Sequence, residues 1–234
     1  MNIKDAVVVV TGANRGLGLA WSRLLLEAGV RKVYACARDP GSVLQAGAIP
    51  VELDITRPGQ VARAAQTCAD ATILVNNAGI VRGGALFGGN ATVSLRQELD
   101  TNLFGTLAMC EAFAPVLAAN GGGAIVNVLS VLSWISIPGG ETYAMSKAAT
   151  WSMTNGVRNA LRAQGTQVLG LHVAFMDTDM TAGIDAPKAS PEDVVAQAIQ
   201  ALEAGREEVL ADLPTRQVKQ GLSLDPGIYL QTPG

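Results

Sequence analysis

The chain alternates short apolar runs with longer stretches of helical periodicity. The runs, rich in Val and Ile, occupy residues 6–10, 32–36, 49–53, 72–75, 124–129 and 168–173, with a weaker one at 208–211. Helical patterns lie between them at 17–27, 59–68, 93–117, 142–163 and 191–203. Strands that are apolar throughout belong to a parallel sheet covered on both faces, and the strand–helix repetition is that of βαβ units. The pattern predicts an α/β fold: one doubly wound parallel sheet of about seven strands, with helices on both faces.

Punctuation agrees with these boundaries. Gly29 stands just past the first helix, Pro58 and Pro191 near helix starts, and Gly121–Gly123 before the fifth strand. Ser190, followed by Pro191, Glu192 and Asp193, reads as an N-cap with acidic residues in the first turn. Residues 41–46 form a short connection, at most one helical turn. No repeat or linker interrupts the chain, so a single domain over 1–234 is expected, with a short substrate-side segment at about 179–190.

Composition narrows the function. Of 234 residues, 49% are hydrophobic and 16% charged, enough apolar material for a large core. The net charge is −3 and there is no Lys/Arg run, so neither nucleic acid nor an anionic membrane is an expected partner. No stretch approaches the ~20 apolar residues of a membrane span. The longest candidate, 103–119, contains Glu111 and Pro115. The opening run is too short for a signal peptide, and a cytoplasmic protein is expected. Cys36, Cys68 and Cys110 lack metal-site spacing and read as buried reduced thiols. A zinc site or a Ser-His-Asp triad would have to rest on the single histidine, His172. That residue ends an apolar run and reads as core, so no metal is expected.

Chemistry enters at the first turn. The first strand runs directly into Thr11-Gly12-Ala13-Asn14-Arg15-Gly16-Leu17-Gly18 and then a helix. A glycine-rich turn at a helix N-terminus lets backbone N–H groups reach a phosphate, as in Rossmann-type dinucleotide folds. Further motifs follow: Leu53-Asp54-Ile55, Asn76-Asn77-Ala78-Gly79, Asn102, Ser130, and Tyr143-x-x-x-Lys147. In order and spacing, from residue 6 to about 180, these resemble the short-chain dehydrogenase/reductase family. The resemblance implies a carbonyl-reductase-like enzyme that binds a dinucleotide through Gly12, Asn14, Arg15, Gly16, Leu17 and Gly18. It further implies that Asp54 and Ile55 contact the adenine, and that Asn77, Ala78 and Gly79 line the nicotinamide side. Relatives usually form homodimers or homotetramers, often through the two long helices.

An acidic residue ending the second strand would favour NAD by bonding the ribose and repelling the extra phosphate of NADP. Here that position is Ala37, followed by Arg38, with Arg15 in the glycine loop. Each arginine alone could be an ordinary solvated residue. Together they fit a phosphate clamp and predict NADP(H). A small shift of strand register would instead bring the Asp39 carboxylate near the ribose.

Hydride addition builds negative charge on a carbonyl oxygen, which needs a donor and a proton source. Lys147 follows Tyr143 by one helical turn, so the two share a face, and a nearby ammonium is expected to lower the phenol pKa. Ser130 ends the fifth strand and would help hold the oxyanion. By resemblance, Asn102 holds a water that links Lys147 to solvent.

The chain departs from the family after the sixth strand. Relatives read close to V-N-P-G-x-V-x-T, whereas here Val173 and Ala174 replace Pro and Gly, His172 replaces Asn, and Thr178 survives as a cofactor contact. The following segment is short, implying an open site. Ile80, Leu132, Trp134, Phe175 and Met180 would form an apolar pocket wall, although core packing explains each equally well. The leading expectation is NADPH-dependent reduction of a small uncharged ketone or aldehyde. A 3-oxoacyl-carrier-protein reductase is the alternative, and a catalytically silent NADP-binding regulator represents a different class.

Overall fold

The computed structural model describes residues 2–87 and 89–231. Seven strands form one parallel sheet: β1 Val7–Thr11, β2 Lys32–Ala37, β3 Ile49–Glu52, β4 Ile73–Asn76, β5 Ala124–Val128, β6 Gln167–His172 and β7 Glu208–Leu210. Their spatial order is β3-β2-β1-β4-β5-β6-β7. The order reverses between β1 and β4, and a doubly wound sheet binds ligands at the carboxyl ends of the strands flanking such a point. Helices α1 Gly16–Glu27 and α2 Pro58–Thr67 follow β1 and β3. A long helix after β4 divides into α3 Ala91–Glu98, a π-helical turn Leu99–Gly105, and α4 Thr106–Ala119. Helices α5 Glu141–Leu161, α6 Pro191–Glu203 and α7 Leu213–Gly221 complete the layers.

Alternation along each strand sends side chains to two cores. From β1, Val8 and Val10 pack with Trp21 and Leu25 of α1 and with Val194 and Ala198 of α6. Val7 and Val9 face the opposite layer, where Val61, Met109, Phe113 and Leu117 cover the sheet. The combined helix Ala91–Ala119 has the length and apolarity of a membrane span, but its inner residues Met109, Cys110, Phe113 and Leu117 pack against the sheet. The three cysteines are buried and free.

Two expectations need correction. The periodicity at 93–117 suggested one uniform helix, but a wide turn interrupts it at Asn102. The Thr150 hydroxyl of α5 lies 3.0 Å from the Asn102 carbonyl oxygen, and this outside partner compensates a carbonyl in the irregular turn. Helix α7 was not expected. Its signals are Asp212, whose carboxylate accepts from the Thr215 amide at 2.8 Å, and Pro214 in the first turn. Residues 41–46 were expected to hold at most one helical turn, and the turn seen is Pro40–Ser42.

Candidate active site

The glycine loop is shaped by close approach. Gly12 has φ +63°, and a Cβ on Gly18 would fall 2.1 Å from the Gly12 carbonyl oxygen. The Asn77 side chain locks this loop from β4, donating to the carbonyls of Thr11 (2.9 Å) and Gly12 (3.1 Å). In return the Thr11 hydroxyl accepts from the Asn77 and Ala78 amides, each at 3.0 Å. Helix α1 begins without a side-chain cap, whereas α6 and α7 are capped by Ser190 and Asp212. Its first amides are therefore free to meet an anion. This loop, fitted so closely that Gly18 admits no side chain, suits a dinucleotide pyrophosphate.

The other expected cofactor residues take varied positions. Asn14 is half-buried in the loop, and Arg15 is exposed, with Nη1 3.4 Å from the Asp179 carboxylate. Leu17 turns into the core, so only its backbone faces the loop side. Arg38 is exposed just past β2, and its charge reaches Asp54. Burial pulls the Asp54 carboxyl upward. Bonds from the Thr56 hydroxyl and amide, with the Arg57 and Arg38 charges, outweigh it and hold the group below its usual range. Asp39, just past Arg38, caps the next turn, its carboxylate accepting from the Gly41 amide at 2.9 Å. Ile55 is buried against Gly105, where any Cβ would come 2.8 Å from the Ile55 side chain. Thr178 lies beside the loop: a Cβ on Gly16 would meet its methyl at 3.4 Å.

At the ends of β5 and α5 the four expected catalytic residues converge. The Ser130 hydroxyl accepts from the Leu132 amide at 3.1 Å, capping the turn Val131–Ser133, and also hydrogen-bonds Tyr143. Capping thus orients the same hydroxyl that meets the phenol. Lys147 is buried, its Nζ 5.7 Å from the Tyr143 ring centre and donating to the Val128 carbonyl at 2.8 Å. A Cβ on Gly79 would lie 3.8 Å from the same Nζ.

The expected lowering of the Tyr143 pKa by Lys147 is not what this geometry produces. Burial dominates and raises the phenol, the Ser130 bond opposes it, and the charge of Glu98 adds to the rise. Burial also brings Lys147 down to about 8, because desolvation disfavours its ammonium. The lysine is therefore poised near neutrality.

Behind these residues runs a buried polar chain that sequence reasoning missed. Asn76 donates to Asn127 (2.9 Å), Asn127 to the Thr154 hydroxyl (3.0 Å), and Thr154 to the Thr150 carbonyl (2.8 Å). Thr150 reaches Asn102, whose side chain donates to the Ser146 hydroxyl at 2.9 Å, and Ser146 donates to the Tyr143 carbonyl at 2.8 Å. The available signal was Thr142, Ser146, Thr150 and Thr154, a four-residue repeat on one side of α5.

The pocket-wall residues separate. Leu132 and Trp134 pack in a small cluster with Tyr143 and Ala174. Trp134 is stacked on His172 at 4.1 Å and lies under Lys219 at 4.8 Å, so it joins β6 to α7. Ile80 and Phe175 are half-buried, and Met180 is exposed. The loop at Val173–Ala174 is tied down by Asp212, which accepts from the Ala174 amide at 2.6 Å.

An uncapped helix N-terminus in a glycine loop, beside a cluster of buried Ser130 and Lys147 with half-buried Tyr143 at the switch point of a parallel sheet, is the arrangement of a nucleotide-dependent oxidoreductase. The model of the short chain dehydrogenases matches residues 6–189. The chain belongs to that family. A crystal structure of a short chain dehydrogenase from Burkholderia cenocepacia J2315, in complex with NADP, is 39% identical with a TM-score of 0.92. That match covers 97% of this chain and 96% of that one. Dehydrogenase/reductase SDR family member 7B of Bos taurus is 30% identical over 76% of this chain, which spans 60% of that relative's length. The 3-oxoacyl-[acyl-carrier-protein] reductase FabG of Vibrio cholerae is 28% identical, covering 79% of each chain.

Proposed function

We propose that this protein reduces an uncharged ketone or aldehyde with NADPH, and oxidises the corresponding alcohol in reverse. The observation that carries this reading is the buried contact between the Tyr143 phenol and the Ser130 hydroxyl, with Lys147 beside the ring. Bound nicotinamide would supply the hydride. Tyr143 gives its proton to the carbonyl oxygen, and Ser130 shares its hydrogen bond with the developing charge. Lys147, able to exchange a proton near pH 8, restores the proton to the phenol. Asn102, fixed by the polar chain, holds the helix turn beside this relay.

Support for NADP over NAD comes from Ala37 ending β2, from the Asp39 carboxylate spent on the Gly41 amide, and from Arg38 and Arg15 nearby. The NADP complex of the Burkholderia relative agrees with it. No Lys or Arg among the expected pocket residues awaits a substrate carboxylate, which favours an uncharged substrate. We further place the protein in the cytoplasm as a homodimer or homotetramer, with exposed Phe104 and Met145 at the subunit contact.

The second reading, reduction of a 3-oxoacyl thioester, is favoured by the Vibrio relative. NADPH oxidation should be followed against ketones, aldehydes, imines and acyl thioesters, with NADH in parallel. Turnover of simple ketones or aldehydes is expected. Turnover confined to acyl thioesters would establish the second reading, and NADPH binding without any turnover would leave a silent binding protein. Tyr143→Phe should lower kcat by about two to four orders of magnitude while the NADPH Kd changes little. Retained activity in that variant would sink the mechanism.

A further inference from the structure

One buried carboxylate near the site has no part in the reaction proposed above. Glu98, on α3, is 0% exposed. Its Oε1 accepts from the amides of Arg82 (2.7 Å) and Gly83 (3.2 Å), and its Oε2 has no hydrogen-bond partner among the described residues. Both partners are backbone amides, so an ionisable side chain buried here calls for a reason.

The location supplies one. Asn102 lies one turn further along the same helix, and its side chain accepts from the Ile80 amide (2.9 Å) and donates to the Ile80 carbonyl (3.0 Å). Glu98 and Asn102 together hold the backbone of residues 80–83. This strap begins just past Gly79, beside the Lys147 ammonium, and ends where the Gly84 amide donates to the Gly139 carbonyl at 3.1 Å, ahead of α5. It therefore spans the mouth of the site from the lysine to the N-terminus of the catalytic helix.

We propose that Glu98 is a positioning residue for hydride transfer, fixing the strap at residues 80–83 that runs on from Gly79 beside the catalytic lysine. The inference rests on the hydride-transfer reading but can be separated from it.

Two variants and two readouts make the test. Hydrogen exchange needs no activity. Glu98→Ala should speed exchange at the Arg82 and Gly83 amides by about tenfold or more, whereas Glu98→Gln, which keeps an acceptor, should stay close to wild type. Glu98→Ala should also raise the carbonyl KM several-fold while NADPH Kd stays within about twofold. Unchanged exchange in Glu98→Ala overturns the proposal whatever the activity. An unchanged carbonyl KM in Glu98→Ala overturns it too, marking the residue as structural only. A wild type that turns over no substrate would count against the hydride-transfer reading, with strap exchange still deciding the role of Glu98.

Discussion

Gly18 shows how tightly single residues are specified around the cofactor loop. A methyl group there would stand 2.1 Å from the Gly12 carbonyl oxygen and 2.7 Å from the Asn77 side chain that holds the loop. Gly18→Ala should therefore weaken NADPH binding by more than about tenfold, read by fluorescence titration, while the fold persists. Binding equal to wild type would show that the loop can shift at no cost. Ser130, Tyr143, Lys147 and Asn102 were legible as a set, because chemistry restricts residue type and a helix restricts spacing. Glu98 and Asn127 were not. A polar residue in an apolar stretch gains its meaning from whatever packs against it, here the amides of residues 82 and 83 and the hydroxyl of Thr154. The direction of the Tyr143 shift was likewise hidden, since it depends on how completely the phenol is buried.

Among the elements, α7 and the loop after β6 act together. Asp212 caps α7 through the Thr215 amide and holds the Ala174 amide with its other oxygen. By holding the Ala174 N–H, the Asp212 carboxylate ties the loop after β6 to the cap of α7. Asp212→Ala removes a cap and strands that amide, which should cost about 2 kcal/mol in urea denaturation. Asp212→Asn should cost less, because one acceptor oxygen remains. A loss equal to that of Ala would separate the charge from the hydrogen bond. The strands and α1, α2, α5 and α6 were legible from periodicity to within a residue or two at most ends. The π-helical turn at Asn102 was not, since an irregular turn inside an apolar helix leaves no mark on the period and depends on a partner from α5.

For the molecule as a whole, the acid limit of stability should bear the mark of His172. Burial pulls this ring down to about 4, with the Lys219 charge helping, against the Ser130 carbonyl and the Glu208 charge. The unfolded chain takes up a proton near pH 6.5 that the native chain refuses until about pH 4. Stability is therefore lost as pH falls through that window, by up to roughly 3 kcal/mol. Denaturation midpoints of wild type and His172→Gln between pH 7 and 4.5 provide the check. The variant should start less stable, having lost the stack on Trp134, but should lose less on acidification. Identical slopes would mean that the histidine charges freely in the native state.

Sequence alone determined the layered α/β architecture, the anion-accepting turn and the identity of the residues at the proposed reaction centre. These follow from local rules: apolar periodicity selects strand or helix, glycine permits close approach, and helical spacing aligns Tyr143 with Lys147. Only the tertiary structure decided what surrounds them. It buried the lysine beside a half-buried tyrosine, made Asp39 the cap of a turn, paired Arg15 with Asp179, and drove Glu98 beneath the strap at residues 80–83. Burial and electrostatic fields are sums over neighbours distant along the chain, so they exist only once the sheet and helices have closed around the site.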